Sequence, residues 1–172
     1  MKKRAIFIDK DGTLVDNSSY PEIIPTDKLL ENDILEGLKY IKERGYLAII
    51  VSNQPWIAKN KVTFEKITSI FNSIVSQLKQ KNILIDDYIF CPHQTSDNCD
   101  CKKPKPKMIF EMVQKHDIDL INSYMIGDMD FDIETGKSAG TKTILVLTGN
   151  GKEYQKNTNA DYIIENLNEI KK

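Results

Sequence analysis

Residues 4–13 read Arg-Ala-Ile-Phe-Ile-Asp-Lys-Asp-Gly-Thr, and the fold follows from the change of character within them. Ala5–Ile8 is an unbroken apolar run. It does not alternate with polar residues, which suits a strand covered on both faces. It stops at two carboxylates one residue apart, followed by a glycine that lets the chain turn. The pattern of an apolar run with a polar end recurs. Arg4–Asp9, Leu47–Ser52, Tyr88–Cys91, Tyr124–Gly127 and Lys142–Leu147 are the strand candidates. Between them lie residues of helical period: Ile34, Leu38 and Ile41; Phe64, Ile67, Phe71, Ile74 and Leu78; Met108, Met112 and Val113. Gly45 and Gly140 stand where helices should end. Repeated strand-helix units imply right-handed crossovers, hence an α/β fold: a doubly wound, mostly parallel sheet with helices on both faces.

Composition narrows the class. The chain has 172 residues, with 24 Lys+Arg against 25 Asp+Glu and a formal charge of −1. This balance gives no electrostatic reason to expect a nucleic acid or a membrane as partner. A content of 40 % hydrophobic and 28 % charged residues excludes global disorder. The longest apolar stretches, Ala5–Ile8 and Tyr46–Val51, fall far short of the roughly 20 residues that span a bilayer, and no signal-peptide pattern opens the chain. The expectation is one cytoplasmic domain over residues 1–172, monomeric and acting on a small molecule. Three Cys residues without a secretory signal point to a metal or redox role before a disulfide framework.

In a sheet of this kind ligands bind beyond the carboxyl ends of the strands, so the residues that follow each strand carry the chemistry. They are Asp9-Lys10-Asp11-Gly12-Thr13, Ser52-Asn53-Gln54, a Cys/His-rich loop ending in Lys102-Lys103-Pro104, and Gly127-Asp128-Met129-Asp130-Phe131-Asp132. Brought to one edge, so many carboxylates repel one another. A hard divalent cation resolves that conflict, and few carboxylates with room for a phosphate oxygen suit Mg2+. Asp9, held at the end of an apolar strand, suits a nucleophile, while Asp11 suits an acid that protonates a leaving oxygen and later activates water. Ser52 and Lys103 would hold phosphoryl oxygens. An isolated Asp-x-Asp-Gly-Thr is most often a turn; three such ends in the right order with a downstream Lys outweigh that reading.

The stretches FIDKDGTL, IVSNQ, KKPKP and MIGDMDFD resemble the four motifs of the haloacid dehalogenase superfamily of aspartate-nucleophile phosphatases, across nearly the whole chain. The resemblance implies a Rossmann-like core with Asp9 as nucleophile and Asp11 as general acid/base. It implies Mg2+ on the Asp9 carboxylate, the Asp11 backbone carbonyl and Asp128, with Asp132 supporting the metal or Lys103. Asn53, Gln54 and Lys102 are carried over with Ser52 and Lys103 to the substrate and phosphate side. Asn17 and Tyr20 fall on the substrate rim by family position.

Only about 35 residues separate Ser52 from the third strand, and they read as one helix from Thr63 to Lys81, leaving no room for a large cap domain. The loop 91–103 gathers Cys91, His93, Cys99 and Cys101. Three thiolates and one imidazole make a closed, structural Zn2+ set. Both features resemble the capless, zinc-containing subfamily that acts on D-glycero-D-manno-heptose 1,7-bisphosphate or on histidinol phosphate. Asn53-Gln54, Ile57-Ala58-Lys59 and the tail 141–149 resemble the heptose enzymes, and the five-residue spacer between His93 and Cys99 resembles the histidinol enzymes. The expected activity is Mg2+-dependent hydrolysis of the heptose 7-phosphate through an aspartyl-phosphate, with histidinol phosphate as the alternative substrate. Pro55-Trp56, Lys102 and Met129 depart from the heptose pattern. Trp56 can stack on a substrate face or simply pack the loop. His116 reads as a helix-end histidine. A phosphate-accepting signalling domain is the non-enzymatic rival, disfavoured by Asp11 and the Cys/His loop.

Overall fold

The computed structural model describes residues 2–17 and 26–171. Its centre is a six-stranded sheet built from β1 (Ala5–Ile8), β2 (Leu47–Asn53), β3 (Asp87–Cys91), β4 (Tyr124–Gly127), β5 (Lys142–Val146) and β6 (Tyr162–Ile164). Every pairing is parallel, in the order β3-β2-β1-β4-β5-β6. Helices α1 (Glu31–Glu43), α2 (Phe64–Gln80), α3 (Lys107–His116), α4 (Asp130–Ala139) and the short α5 (Gly151–Tyr154) connect them.

Strand alternation assigns the two cores. Ile6 and Ile8 of β1 join Ala48 and Ile50 of β2 against Ile34, Leu38 and Ile41 of α1 and Ile67, Phe71 and Ile74 of α2. Ala5 and Phe7 join Ile49 and Val51 on the other face, against Met108, Ile109 and Met112 of α3. With both faces covered, all four residues of β1 are buried, as the unbroken apolar run requires. The helix expected over 63–81 is observed as Phe64–Gln80, with the Thr63 hydroxyl accepting from the Lys66 amide at 3.1 Å as its N-cap. Gly45 and Gly140 follow α1 and α4 with φ of 76° and 86°, the left-handed stop that glycine tolerates best. Nothing larger than α2 and its flanking turns lies between β2 and β3, so there is no cap domain.

The sixth strand corrects the five-strand reading. Tyr162–Ile164 is only three residues long, and its first two residues are exposed, so it carries no core signal. The chain winds outward from the centre twice, to β3 on one side and to β6 on the other. The order reverses between β1 and β4, which lie side by side with the Asp9 amide donating to the Ile126 carbonyl at 2.9 Å. Such a switch point opens a crevice at the carboxyl ends of the strands. Asp9 follows β1 and Asp128 follows β4. Among the described residues, no helix is long and apolar enough to cross a membrane.

Candidate active site

Asp9, Asp128 and Asp132 converge at the switch point, with one carboxylate oxygen from each within 4.8 Å of the others. All three are buried. Lys103, in the stretch between β3 and α3, reaches them. Its Nζ donates to Asp9 Oδ1 and Asp132 Oδ1, each at 2.6 Å, and to the Val51 carbonyl at 2.9 Å. Burial alone would push this lysine down, but Asp132 and Asp9 more than offset it and hold the ammonium charged, above the usual lysine range.

Three carboxylates against one ammonium leave a formal excess of two negative charges. Burial, then Asp9 and Asp132, raise the Asp128 carboxyl to about 8. Burial raises Asp132 to about 7 against the pull of Lys103, and raises Asp9 against the same pull. A divalent cation among these oxygens would offset the excess. Asp128 supplies a direct fit: its Oδ2 accepts from the Asn150 amide at 2.8 Å, while its buried Oδ1 has no partner among the described residues. The donor set is all oxygen, which matches Mg2+. Gly12, at φ 83°, lets the Asp128 carboxylate stand this close to the turn, since a Cβ there would lie 2.3 Å from Asp128 Oδ2.

The raised carboxyl has a consequence for stability. A group whose pKa is higher in the folded than in the unfolded chain favours folding at low pH, and that contribution is lost as pH rises toward the folded value. Without added Mg2+, the melting temperature is expected to fall between about pH 4 and pH 8, and Mg2+ should restore it at the upper end. In Asp128→Asn the pH slope should flatten. Thermal melts across this range check it, and an unchanged slope in the variant would remove Asp128 as its source.

The remaining residues divide between cleft and support. A cleft of about 120 Å³ is lined by Asp9, Asp11, Asn17, Asn53, Trp56 and Phe131, among others. Trp56 lies under Lys59, whose Nζ is 4.9 Å from the ring centroid, and both border the opening. Asn53 also has a supporting role: its Oδ1 accepts from the Lys103 amide at 2.9 Å and its Nδ2 donates to the Lys103 carbonyl at 3.2 Å, so it fixes the backbone that carries the lysine. Gln54 is fully buried, and its Nε2 donates to Asp11 Oδ2 at 2.8 Å and Ser52 Oγ at 2.9 Å. It therefore stands between the two motifs. Lys102 is not among the cleft-lining residues, and its backbone N–H faces the Cys99 thiol. Tyr20 falls outside the described residues. Lys10, to which the sequence assigned no role, is completely buried and paired with Asp11. A larger cavity of about 370 Å³ opens among Arg4, Tyr40, Tyr46 and Tyr162, but Glu169 is its only acidic lining residue. It has no carboxylate pair.

Cys91, His93, Cys99 and Cys101 form the second cluster. The separations run from 3.2 Å (Cys101 to Cys91) to 3.7 Å (Cys101 to Cys99), with His93 Nδ1 at 3.3 Å from Cys101 and 3.5 Å from Cys91. A tetrahedral ion about 2.3 Å from each sulfur requires edges of about 3.8 Å, close to these values. Burial pushes the Cys91 thiol up, and bound metal would reverse that by stabilising the thiolate. The donor set fits Zn2+. His116 stands apart, with its Nε2 2.6 Å from Asp87 Oδ2.

A family model described as HAD-hydrolase-like matches residues 100–170. A Pasteurella multocida (strain Pm70) protein named D-glycero-beta-D-manno-heptose-1,7-bisphosphate 7-phosphatase is 32 % identical over 177 residues, 99 % of this chain and 96 % of that protein. One of the same name from Helicobacter pylori (strain J99) is 35 % identical over 150 residues, 86 % of this chain and 84 % of its own. Among solved structures, the D,D-heptose 1,7-bisphosphate phosphatase of B. bronchiseptica, complexed with magnesium and phosphate, superposes with a TM-score of 0.87. It is 23 % identical, covering 96 % of this chain and 94 % of the other. That likeness shows the fold. Identity of this order across almost the full length of both sequences shows more: the chain belongs to the D-glycero-beta-D-manno-heptose-1,7-bisphosphate 7-phosphatase family of haloacid dehalogenase-like hydrolases.

Proposed function

We propose that the protein removes the 7-phosphate of D-glycero-D-manno-heptose 1,7-bisphosphate, with Asp9 as the transiently phosphorylated residue. The observation that carries the reading is the buried Asp9 carboxylate at the switch point, held by Lys103 and faced by Asp128, with a second carboxylate two residues on. Mg2+ would be held by the Asp9 carboxylate, the Asp11 backbone carbonyl and Asp128. When bound, it supplies positive charge between the phosphoryl group and Asp9, reducing their repulsion.

Asp9 attacks phosphorus in line, and the bond from phosphorus to the sugar oxygen breaks. Asp11 gives its proton to that oxygen. It then takes a proton from water, whose oxygen attacks the aspartyl-phosphate and frees phosphate and Asp9. Lys103 and Ser52 accompany the phosphoryl oxygens, Lys103 as a fixed ammonium. Asp132 and Asn53 keep Lys103 in place, one at the ammonium and one at the backbone.

The names of the full-length relatives support the heptose substrate, and so does the rim. Lys59 borders the cleft, where its charge complements a second phosphate and repels the ammonium of histidinol phosphate. The short His93–Cys99 spacer favours histidinol phosphate. Lys59→Gln is expected to raise KM for the bisphosphate about two- to fivefold, the size of one exposed ion pair, and not to raise KM for histidinol phosphate. The deciding measurement is kcat/KM for both anomers of the bisphosphate beside histidinol phosphate. Preference for histidinol phosphate overturns the substrate alone. Failure to turn over either of them, or p-nitrophenyl phosphate, overturns the phosphatase reading too.

A further inference from the structure

Among the described residues, Lys10 is the one buried ionisable group near the cleft that the reaction scheme leaves without a task. Its side chain is 0 % exposed, in a protein whose other fully buried large side chains are chiefly Ile, Leu and Phe. The alternation of β1 explains why. Ile6 and Ile8 face the core under α2, and Lys10 continues their parity, so its ammonium lands 5.9 Å from the ring centroid of Phe71. Placing an ammonium there carries a desolvation penalty that an apolar residue would avoid. One carboxylate compensates it: Lys10 Nζ pairs with Asp11 Oδ1.

The other oxygen of the same carboxylate is held as well. Asp11 Oδ2 accepts from Gln54 Nε2 at 2.8 Å, and the same amide nitrogen donates to Ser52 Oγ at 2.9 Å. Gln54 is itself completely buried. Asp11 is 37 % exposed and lines the cleft. A side chain this open, on a turn, has several rotamers of similar energy unless something selects one. Two buried donors, one on each oxygen, select one.

We propose that Lys10 is a positioning residue of the reaction, clamping the Asp11 carboxyl group against Gln54 so that it stays turned toward the cleft, where the leaving oxygen of the phosphate ester would lie. This rests on the reading of Asp11 as general acid. Misplacing a proton donor by a fraction of an ångström matters only where the leaving group needs the proton. A sugar alkoxide does; a p-nitrophenolate leaves well without one. In kcat/KM, which ends at release of the alcohol, later hydrolysis of the phosphoenzyme does not intrude.

The test is Lys10→Met, which keeps length and burial and removes the charge. Its kcat/KM on an alkyl phosphate, the heptose bisphosphate or glycerol phosphate, should fall about 10- to 100-fold, and on p-nitrophenyl phosphate by less than about threefold. Lys10→Arg should recover part of the loss, and it stands as the second variant if Lys10→Met does not fold, with the same leaving-group dependence at smaller size. Equal losses on both substrates in a folded variant, or no loss on either, overturn the proposal. Asp11→Asn separates the two readings: if it shows no leaving-group-dependent loss, Asp11 is not the acid, whatever Lys10 does.

Discussion

Asp9→Asn is expected to abolish turnover, with kcat lowered by more than about a thousandfold, since loss of a nucleophile has cost up to about 10⁶ where the scaffold stays intact. An amide oxygen is a poor nucleophile toward phosphorus, so no aspartyl-phosphate forms and nothing remains for Asp11 to hydrolyse. The fold should survive. Burial raises the Asp9 carboxyl even with Lys103 beside it, which means the charged form sits there against a desolvation cost. A neutral amide avoids that cost, and Lys103 keeps Asp132 and the Val51 carbonyl as partners. The variant should therefore melt near the parent temperature. Two measurements decide: turnover of p-nitrophenyl phosphate, and trapping of a hydroxylamine-sensitive phosphoprotein during turnover. Retained activity, or a phosphoprotein in the variant, would place the covalent step elsewhere.

The sheet was legible because apolar runs buried on both faces leave a signal no turn imitates. β1, β2 and β4 are such runs, with only the first residue of β2 and β4 and the last of β2 partly open. β6 left no signal, since Tyr162 and Ile163 face outward. The convergence of Asp9, Asp128 and Asp132 was legible by position, as they follow the central strands β1 and β4. What the motifs could not reveal is how side chains that share a stretch divide their work. Asn53 and Gln54 follow Ser52 directly and read as ligands for phosphate. In the folded protein Asn53 fastens the Lys103 backbone and Gln54 joins Ser52 to Asp11. Both outcomes depend on partners about 40 to 50 residues away, a distance that local spacing does not encode. Lys10 is a different case. Carrying the parity of Ile6 and Ile8 two residues past the strand would have aimed it into the core, so the signal was present and a charged residue type concealed it.

The second large effect belongs to the Cys/His loop. Between Cys91 and Lys103, both buried, every residue from 92 to 102 is partly or fully exposed, and the stretch meets the apolar core under α3 through Cys99 and Cys101, two of the four cluster residues themselves. Its bonds are scattered: a 3-10 turn at Thr95–Asp97, the Gln94 amide on Asp97 Oδ2 at 3.0 Å, the Lys102 amide on the Cys99 thiol, the Ala58 amide on the Pro92 carbonyl at 3.2 Å and Lys105 Nζ on the Cys99 carbonyl at 2.6 Å. The loop nevertheless ends on the lysine that must stand 2.6 Å from Asp9. A four-coordinate ion joining residues 91, 93, 99 and 101 would supply the cross-link, and binding of such ions is folding free energy of about 10–16 kcal/mol in small zinc domains. Elemental analysis of the purified protein is expected to find about one zinc per chain. Cys99→Ser should lose that zinc and melt lower by about 5–15 °C, at roughly 2–4 °C per kcal/mol for a chain of this length. Activity should fall about tenfold or more as Lys103 loosens, while Asn53 keeps its backbone from leaving the site altogether. If zinc content and melting temperature are both unaltered in Cys99→Ser, the three thiols are not ligands, and the loop must be held by contacts other than a metal.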